Sequence, residues 1–290
     1  MADPAAPPGD YFSNHRRRER FPWSLYHGAL TRPLARAIAA RGPRPRVLLV
    51  GCGLEGEIPG APPATELYGC DLDARAIEAC QRLYPARAAR FAVCPGPYAL
   101  PTGGGFDGPF DVVLAKEVVE HTLDPSRWAR GLSARLAPGG TLLLTTPNYG
   151  RLSTLPLLEA TVLEWIARRD GFSRKHIHPS KFDERRLAAL DVGEQMQLVS
   201  VRRTLTGWSL LGTWQRAPVV AGFEHEVGQI GPPPAPRADA APASSVSMLL
   251  LLLALGVLVL RLAELSADAA SGSAAPTAPA APAPRLAWLA

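Results

Sequence analysis

The chain has 290 residues, of which 47% are hydrophobic and 20% charged, and its formal net charge is +5. This length suits one sizeable α/β domain with appended segments. The small basic excess comes without a basic face interleaved with aromatic side chains, which argues against nucleic acid as the main partner. The four cysteines form no C-x-x-C pair and have no zinc-like spacing, so we expect reduced, buried thiols.

The N-terminal segment, residues 1–20, is rich in proline and alanine and then basic, and we expect it to be disordered. The main domain is predicted to span residues 21–218. It begins with Leu25–Ala40, whose apolar periodicity predicts a helix. We expect a break in this helix at Pro33, because proline lacks the N–H that the helical ladder needs.

A glycine loop follows the first predicted strand. The apolar run Val47–Val50 predicts a buried parallel strand, and it leads directly into Gly51 and Gly53, which let the backbone turn sharply beside a ligand. A second apolar segment, Leu67–Cys70, ends at Asp71. In nucleotide-binding α/β folds, a carboxylate at the end of the second strand accepts hydrogen bonds from ribose hydroxyls. These features predict a nucleotide subsite.

Later segments alternate between helical and strand patterns. Helices are predicted at Asp73–Leu83, Asp124–Leu136, Thr154–Arg169 and Asp183–Leu190, and strands at Arg90–Val93, Phe110–Leu114, Thr141–Thr145, Gln197–Leu205 and Trp208–Gln215. The proline and glycines at 138–140 are expected to stop the second of these helices. This alternation predicts a parallel sheet with helices on both faces, closed by an antiparallel hairpin, with ligands at the carboxyl ends of the strands.

Two further motifs carry a family resemblance. They are K-E-V-V-E-H at residues 116–121 and P-G-G-T-L-L-L-T-T-P-N at residues 138–148. With the glycine loop and Asp71, their order resembles class I S-adenosylmethionine-dependent methyltransferases, particularly the ubiquinone-biosynthesis O-methyltransferase-like and generic small-molecule branches. The resemblance covers Arg46–Gln215. It implies a doubly wound, mostly parallel seven-stranded Rossmann-like sheet with a final antiparallel hairpin, and S-adenosylmethionine as the cofactor.

The resemblance also implies how the cofactor is held. The glycine loop would pass beneath its methionine portion, Asp71 would bind the ribose hydroxyls, and Leu72 would lie against the adenine. The full set of cofactor-binding residues implied in this way is Gly51, Cys52, Gly53, Asp71, Leu72, Cys94, Lys116 and Glu117. The chain departs from the family pattern in three places, which are Leu49, Glu55 and Cys94.

The chemistry of the acceptor points to histidine. A hydroxyl must lose its proton when it is methylated, and neutral imidazole suits this task near pH 7. His121, just beyond the fourth strand, is the predicted catalytic base, although a structural hydrogen bond at a helix start is an equal alternative. His176 and His178 are predicted substrate contacts, with an exposed loop as the alternative.

The E-x-x-E-H pattern of Glu117, Glu120 and His121 bears on metal binding. It resembles the pattern with which small-RNA 2′-O-methyltransferases bind a divalent metal. Pro125 stands where those proteins carry a further histidine. We therefore expect no metal site.

The composition changes again after the main domain. Residues 219–245 are predicted to form a proline-rich linker, residues 246–265 a single transmembrane helix, and residues 266–290 a disordered Ala/Pro tail. No charged residue occurs between Asp239 and Arg261, and a spanning helix needs about 20 mostly apolar residues. A buried or partner-docking helix is the alternative for this segment.

Together these features predict a single-pass membrane protein whose catalytic domain faces the cytoplasm. It would methylate a small, lipophilic acceptor, with O-methylation favoured. Two alternatives stay open. One is a catalytically inactive, methyltransferase-like membrane scaffold, which the three departures motivate. The other is a nicotinamide-dependent oxidoreductase. Residues 51–56 also match the G-x-G-x-x-G pattern of that class of enzyme.

Overall fold

The structure is a computed structural model, and it describes residues 23–151, 153–169, 178–204 and 207–218. Its helices are α1 (Trp23–Ala39), α2 (Ala74–Leu83), α3 (Pro125–Ser133), α4 (Leu155–Leu158), α5 (Glu164–Arg169) and α6 (Glu184–Ala188). Its strands are β1 (Arg46–Val50), β2 (Glu66–Asp71), β3 (Phe91–Val93), β4 (Phe110–Lys116), β5 (Leu136–Pro147), β6 (Met196–Arg203) and β7 (Ser209–Arg216). Short 3₁₀ turns cover Pro85–Arg90 and Val119–His121, and a π-helical segment, Glu159–Leu163, joins α4 to α5.

The strands form one seven-stranded sheet in the order β3-β2-β1-β4-β5-β7-β6. Strands β1 to β5 pair in parallel, and β7 pairs antiparallel with both β5 and β6. The predicted doubly wound, mostly parallel sheet with a final antiparallel hairpin is therefore confirmed. The strand order reverses between β1 and β4, and ligands of such sheets bind in the crevice outside this switch point.

Both faces of the sheet are covered, because successive side chains of a buried strand point to opposite sides. In β1, Leu48 and Val50 belong to the core cluster that contains Trp128 and Leu132 of α3. The residues that alternate with them, Val47 and Leu49, belong to the cluster that contains α1 and α2 side chains. The unbroken apolar run of β1 is thus explained by burial on both faces. All four cysteines are free and buried, as predicted.

Helix α1 continues through Pro33, so the predicted break at this residue is wrong. Proline inside a helix removes a hydrogen bond and costs about 3 kcal/mol. Leu30, Leu34 and Ile38 recur four residues apart, and each is at most 1% exposed. Burying each of these side chains contributes about 1.5–3 kcal/mol. Packing of this face against the sheet therefore outweighs the lost hydrogen bond.

The proline and glycines at 138–140 lie inside β5, and the prediction that they stop a helix is wrong. Helix α3 already ends at Ser133, and the chain begins β5 three residues later. Pairing between β4 and β5 is irregular here, with a register shift between Phe110 and Val112. Gly139 has a φ of 74°, which suits such an irregularity. Leu136 and the residues from Thr141 onward pair with neighbouring strands, so residues 138–140 form a bulge between the two paired parts of β5.

The membrane segment predicted from the sequence, residues 246–265, lies outside the described residues. So do the predicted N-terminal segment, the linker and the C-terminal tail. Within the ranges that the structure does describe, no helix has the length and apolar character needed to cross a bilayer.

A substitution in the glycine loop tests how closely this loop packs at the switch point between β1 and β4. Gly51 has a φ of 70°, and a Cβ at this position would lie 2.5 Å from Cγ2 of buried Val118. Left-handed backbone costs a non-glycine residue about 1–2 kcal/mol, and overpacking adds about 1–3 kcal/mol. We expect Gly51→Ala to lower the free energy of unfolding by about 2–5 kcal/mol, measured by urea denaturation.

Gly139→Ala is the matched control. Gly139 has a φ of 74°, and a Cβ added to it would meet no atom within 4 Å, so only the backbone cost applies. We expect a loss of about 1–2 kcal/mol for this variant. Equal losses in the two variants would contradict the close contact between the glycine loop and Val118.

Candidate active site

The polar residues of the site lie where parallel strands end. Gly51 follows β1, Asp71 ends β2, Glu117 follows β4 and Asn148 follows β5. Because β1, β2, β4 and β5 pair in parallel, these residues share one rim of the sheet. This rim, defined by residues 51–53, 71, 94, 116–121 and 146–148, is where the sequence places the site.

The carboxylate of Asp71 is buried at this rim, with the residue 5% exposed. Its Oδ2 accepts a hydrogen bond from the N–H of Gly53 at 2.8 Å, and its Oδ1 accepts one from the N–H of Asp73 at 3.0 Å. Burial raises the pKa of Asp71, and backbone hydrogen bonds from Asp73, Gly53 and Leu72 oppose that rise. A carboxylate has about four lone-pair sites. Acceptor capacity therefore remains for a hydroxyl of a ligand.

A groove runs beside this carboxylate. It is lined by Val50, Gly51, Asp71, Leu72, Cys94, Gly96, Pro97, Tyr98, Ala99, Leu100, Val118, Trp128, Gly131 and Leu132. A buried acceptor beside apolar walls suits a nucleoside, with the sugar at Asp71 and the base against the apolar side chains. Of the predicted cofactor residues, the groove brings together Gly51, Asp71, Leu72 and Cys94.

Several wall residues were missed from the sequence, among them the large side chains of Tyr98, Leu100 and Trp128. Tyr98 and Leu100 belong to a Gly/Pro-rich connection that has no binding motif of its own. Trp128 lies on α3, where its spacing indicates only a core position. The Tyr98 hydroxyl accepts a hydrogen bond from the N–H of Asp124 at the start of α3, which holds the connection to that helix.

The three departures from the family pattern have different environments. Leu49 is 1% exposed and packs in the core cluster that contains α1 and α2 side chains. Glu55 forms an ion pair with Lys116, whose side chain is 9% exposed. Cys94 lines the groove itself. The negative charge of Glu55 is therefore balanced by the ammonium group of Lys116 at the rim.

Glu117 has a backbone conformation that is rare for its residue type. Its φ is 56°, in the left-handed region, and it is the one non-glycine residue with a positive φ in the described ranges. Its N–H donates to the carbonyl and the side-chain oxygen of Thr145, both at 3.1 Å. Such strain costs about 1–3 kcal/mol and tends to occur at functional sites. The turn at Glu117 leads the chain from β4 into the 3₁₀ turn that carries His121.

A second group of side chains lies near the end of β4. It consists of Glu120, His121 and His178, whose nearest ligand-type atoms all lie within 4.8 Å of one another. Nε2 of His121 is 3.9 Å from Oε1 of Glu120, and the two imidazole centroids are 4.9 Å apart. Burial raises the pKa of Glu120 well above its usual value, and the nearby charge of Glu117 raises it further. The hydroxyl of Thr146 and the backbone N–H of Glu120 face this carboxylate and act to lower its pKa, although neither makes a hydrogen bond of good geometry to it.

His178 lies close to Glu120 and His121 because the segment that follows it is hydrogen-bonded to the 3₁₀ turn Val119–His121 and to the residue after it. The N–H of Ser180 donates to the carbonyl of Glu120 at 3.0 Å, and its hydroxyl donates to the carbonyl of Thr122 at 2.8 Å. The structure thus brings the predicted residues His121 and His178 together. The other predicted substrate contact, His176, lies outside the described residues.

Two residues that sequence reasoning missed hold the His178 ring. The hydroxyl of Tyr149 donates to Oε2 of Glu159 at 2.7 Å and is also hydrogen-bonded to Nδ1 of His178. Oε1 of Glu159 lies 3.8 Å from the same nitrogen. Glu159 opens the π-helical segment, and such segments are frequent at functional sites. No spacing in the sequence links these three residues, because only the fold brings them together.

Comparison with known proteins agrees with this geometry. Residues 16–190, more than half of the chain, match the family described as "Methyltransferase domain". The chain belongs to this family. It is a class I S-adenosylmethionine-dependent methyltransferase, and S-adenosylmethionine is its cofactor. The Asp71 groove fits that cofactor, because it offers an acceptor for the ribose hydroxyls and apolar walls for the adenine. Family membership decides against the oxidoreductase alternative.

Among curated relatives, the chain is similar to ubiquinone biosynthesis O-methyltransferases. It is 45% identical over 62 residues to the protein from Caulobacter sp. (strain K31), which is 20% of this chain and 24% of the relative. It is 39% identical over 85 residues to the protein from Ruegeria pomeroyi, which is 28% of this chain and 34% of the relative. The match thus spans about a quarter to a third of the length of these relatives.

Solved structures show the same fold. Magnesium protoporphyrin IX methyltransferase from Synechocystis PCC 6803 with bound SAH superposes with a TM-score of 0.52 at 19% identity, covering 71% of this chain and 94% of that one. An S-adenosylmethionine-dependent methyltransferase from Clostridium acetobutylicum superposes with a TM-score of 0.51 at 9% identity, covering 71% of this chain and 98% of that one. At these identities the likeness concerns the fold.

The role of Asp71 can be measured by cofactor binding. We expect Asp71→Asn to weaken binding of S-adenosylhomocysteine about 10–100-fold, because hydrogen bonds to a charged group contribute about 1.5–3 kcal/mol. Calorimetric titration of the full chain measures this change. Asp73→Asn is the control, since Asp73 caps α2, pairs with Arg75 and lies outside the groove-lining set of the described residues. An unchanged affinity in folded Asp71→Asn would contradict the assigned role.

Proposed function

We propose that this chain transfers the methyl group of S-adenosylmethionine to a hydroxyl of a small, lipophilic acceptor at a membrane. One observation carries the proposal: the Asp71 groove and the pair of imidazoles at His121 and His178 lie at the same rim of the sheet. One part of the rim suits the nucleoside of the cofactor, and the other offers groups that act on a hydroxyl proton.

The chain's own contribution to the reaction is positioning and proton removal. The cofactor supplies an electrophilic methyl group on a sulfonium, which is transferred by in-line displacement. Asp71 and the glycine loop fix the cofactor, so that much of the barrier is overcome by orientation and by exclusion of water. His121 is 25% exposed through its side chain, so an acceptor reaches it, and its neutral imidazole accepts the hydroxyl proton.

Several observations support an oxygen atom and a lipophilic acceptor. Both curated relatives described above are O-methyltransferases by name, although they match this chain over a limited segment. Two large apolar side chains close to site residues in the sequence are exposed: Leu123 lies two residues beyond His121, and Leu157 lies two residues before Glu159. The apolar run at residues 249–260 would hold the enzyme at a bilayer, where lipophilic acceptors partition.

Proton removal by His121 predicts a change in turnover with little change in cofactor binding. We expect His121→Ala to lower kcat about 10²–10⁴-fold, the usual contribution of general base catalysis. The measurement is transfer of radiolabelled methyl from S-adenosylmethionine to hydroxylated quinone precursors dispersed in detergent. S-adenosylhomocysteine affinity, measured in parallel, is expected to stay within about twofold, because His121 is outside the groove-lining set. Undiminished kcat would rule out this role.

Membrane attachment predicts how the full chain fractionates. We expect it to stay with the membrane pellet after alkaline carbonate extraction. The double variant Leu252→Arg/Val257→Arg should be released, since each charge at the centre of a span costs about 2.5–3.5 kcal/mol. A matched control, Ala238→Arg/Ala241→Arg, adds the same charge in the predicted linker and should remain in the pellet. Release of the unaltered chain would refute the anchor.

A further inference from the structure

The four buried cysteines form two pairs on opposite faces of the sheet. Cys70 and Cys94 belong to the core cluster on the side of α3, whereas Cys52 and Cys80 belong to the cluster on the side of α1 and α2. All four are free thiols. The pairs differ in their access to solvent, because Cys94 lines the Asp71 groove and no thiol of the other pair belongs to the groove-lining set of the described residues.

The thiols of Cys70 and Cys94 are neighbours where β2 and β3 end. Cys70 pairs with Ala92 in the parallel register, and the N–H of Cys94 donates to the carbonyl of Asp71 at 2.8 Å. A side-chain hydrogen bond with Cys94, followed by burial, raises the pKa of Cys70 well above its ordinary value. The two sulfurs therefore face each other across the strand ends.

The two thiols of this pair differ in how a small oxidant reaches them. Cys94 is 9% exposed and lies at the groove wall, whereas Cys70 is fully buried behind it. Redox-sensing cysteines are solvent-accessible and often stand next to a resolving cysteine. Cys94 thus has the position of the thiol that is oxidised first, and Cys70 that of the resolving thiol.

The backbone at this pair holds the cofactor loop. The carbonyl of Cys70 accepts hydrogen bonds from the N–H groups of Gly51 at 2.8 Å and Cys52 at 3.0 Å, and the next residue in the chain is Asp71. Two sulfurs in a disulfide lie closer together than two thiols in contact. A disulfide between Cys70 and Cys94 would therefore draw the groove wall toward β2 and move the strand end that supports the glycine loop.

We propose that Cys70 and Cys94 form an oxidation site at which hydrogen peroxide produces a disulfide that weakens cofactor binding. Bound cofactor covers the groove wall and thereby protects Cys94. The inference concerns the cofactor site alone, and it does not depend on the identity of the methyl acceptor.

The reaction needs hydrogen peroxide and the two thiols. The sulfur of Cys94 attacks one peroxide oxygen, the O–O bond breaks and one water leaves, which gives a sulfenic acid. The sulfur of Cys70 then displaces the hydroxyl group from Cys94, and a second water leaves with the proton of Cys70. Two electrons pass from the thiols to the peroxide. A dithiol reductant reverses the change by thiol–disulfide exchange.

The test is treatment of the full chain with hydrogen peroxide, followed by calorimetric titration with S-adenosylhomocysteine. We expect the mass to fall by about 2 Da, peptide mapping to show a Cys70–Cys94 link, and the affinity to fall at least about 10-fold. Dithiothreitol should restore the affinity. Saturation with S-adenosylhomocysteine before treatment should slow formation of the link, because the ligand covers Cys94.

Cys70→Ala removes the resolving thiol. In this variant peroxide should leave a sulfenic acid on Cys94, which dimedone traps, and no disulfide should form. Cys80→Ser is the matched control, since Cys80 is also fully buried and faces a second thiol, that of Cys52. Its serine hydroxyl can still donate to the carbonyl of Gly53, as the thiol does at 3.2 Å. Compared with its own reduced form, Cys80→Ser should lose affinity as the unaltered chain does.

Several results would overturn the proposal. They are the absence of a Cys70–Cys94 disulfide after treatment, a Cys52–Cys80 link in its place, and unchanged affinity in the chain that carries the Cys70–Cys94 link. Equal dimedone labelling of Cys94 in the unaltered chain and in Cys70→Ala would refute the resolving role of Cys70. These measurements use no methyl acceptor, so a failure here is distinct from a failure of the proposed function.

Discussion

The hydrogen bond from the N–H of Gly53 to the buried carboxylate of Asp71 joins the two halves of the nucleoside site. It ties the loop after β1 to the end of β2, while the N–H groups of Gly51 and Cys52 both donate to the carbonyl of Cys70. The loop can lie this close because Gly51 and Gly53 adopt positive φ angles of 70° and 55°. The groove that suits the cofactor depends on this contact.

A second set of contacts joins the rim to the part of the chain after β5. Ser180 holds the residues beside His178 against the 3₁₀ turn, and Tyr149 and Glu159 fix the ring from the other side. The surroundings of His121 and His178 are thus built from three separate segments. These segments are separate from the parallel strands that form the nucleoside groove.

Acidic side chains are concentrated at this rim, and their negative charges are balanced by different partners. Glu55 is paired with Lys116, and Asp71 accepts two backbone hydrogen bonds. Glu120 is the most deeply buried of these carboxylates and lies beside imidazoles. Backbone amides balance the charge of Asp71, and Lys116 balances that of Glu55.

Local patterns in the sequence determined the parallel strands, the glycine loop and Asp71, because each rests on residues that are neighbours in the chain. They also placed His121 at the rim, since the end of a buried strand is readable from its apolar run. Tertiary structure decided the rest. Pro33 stays within a helix because α1 packs on the sheet, and residues 138–140 lie inside β5 as a bulge because the residues on either side of them pair with neighbouring strands. His178, Tyr149 and Glu159 meet through contacts between distant segments, which no local periodicity encodes.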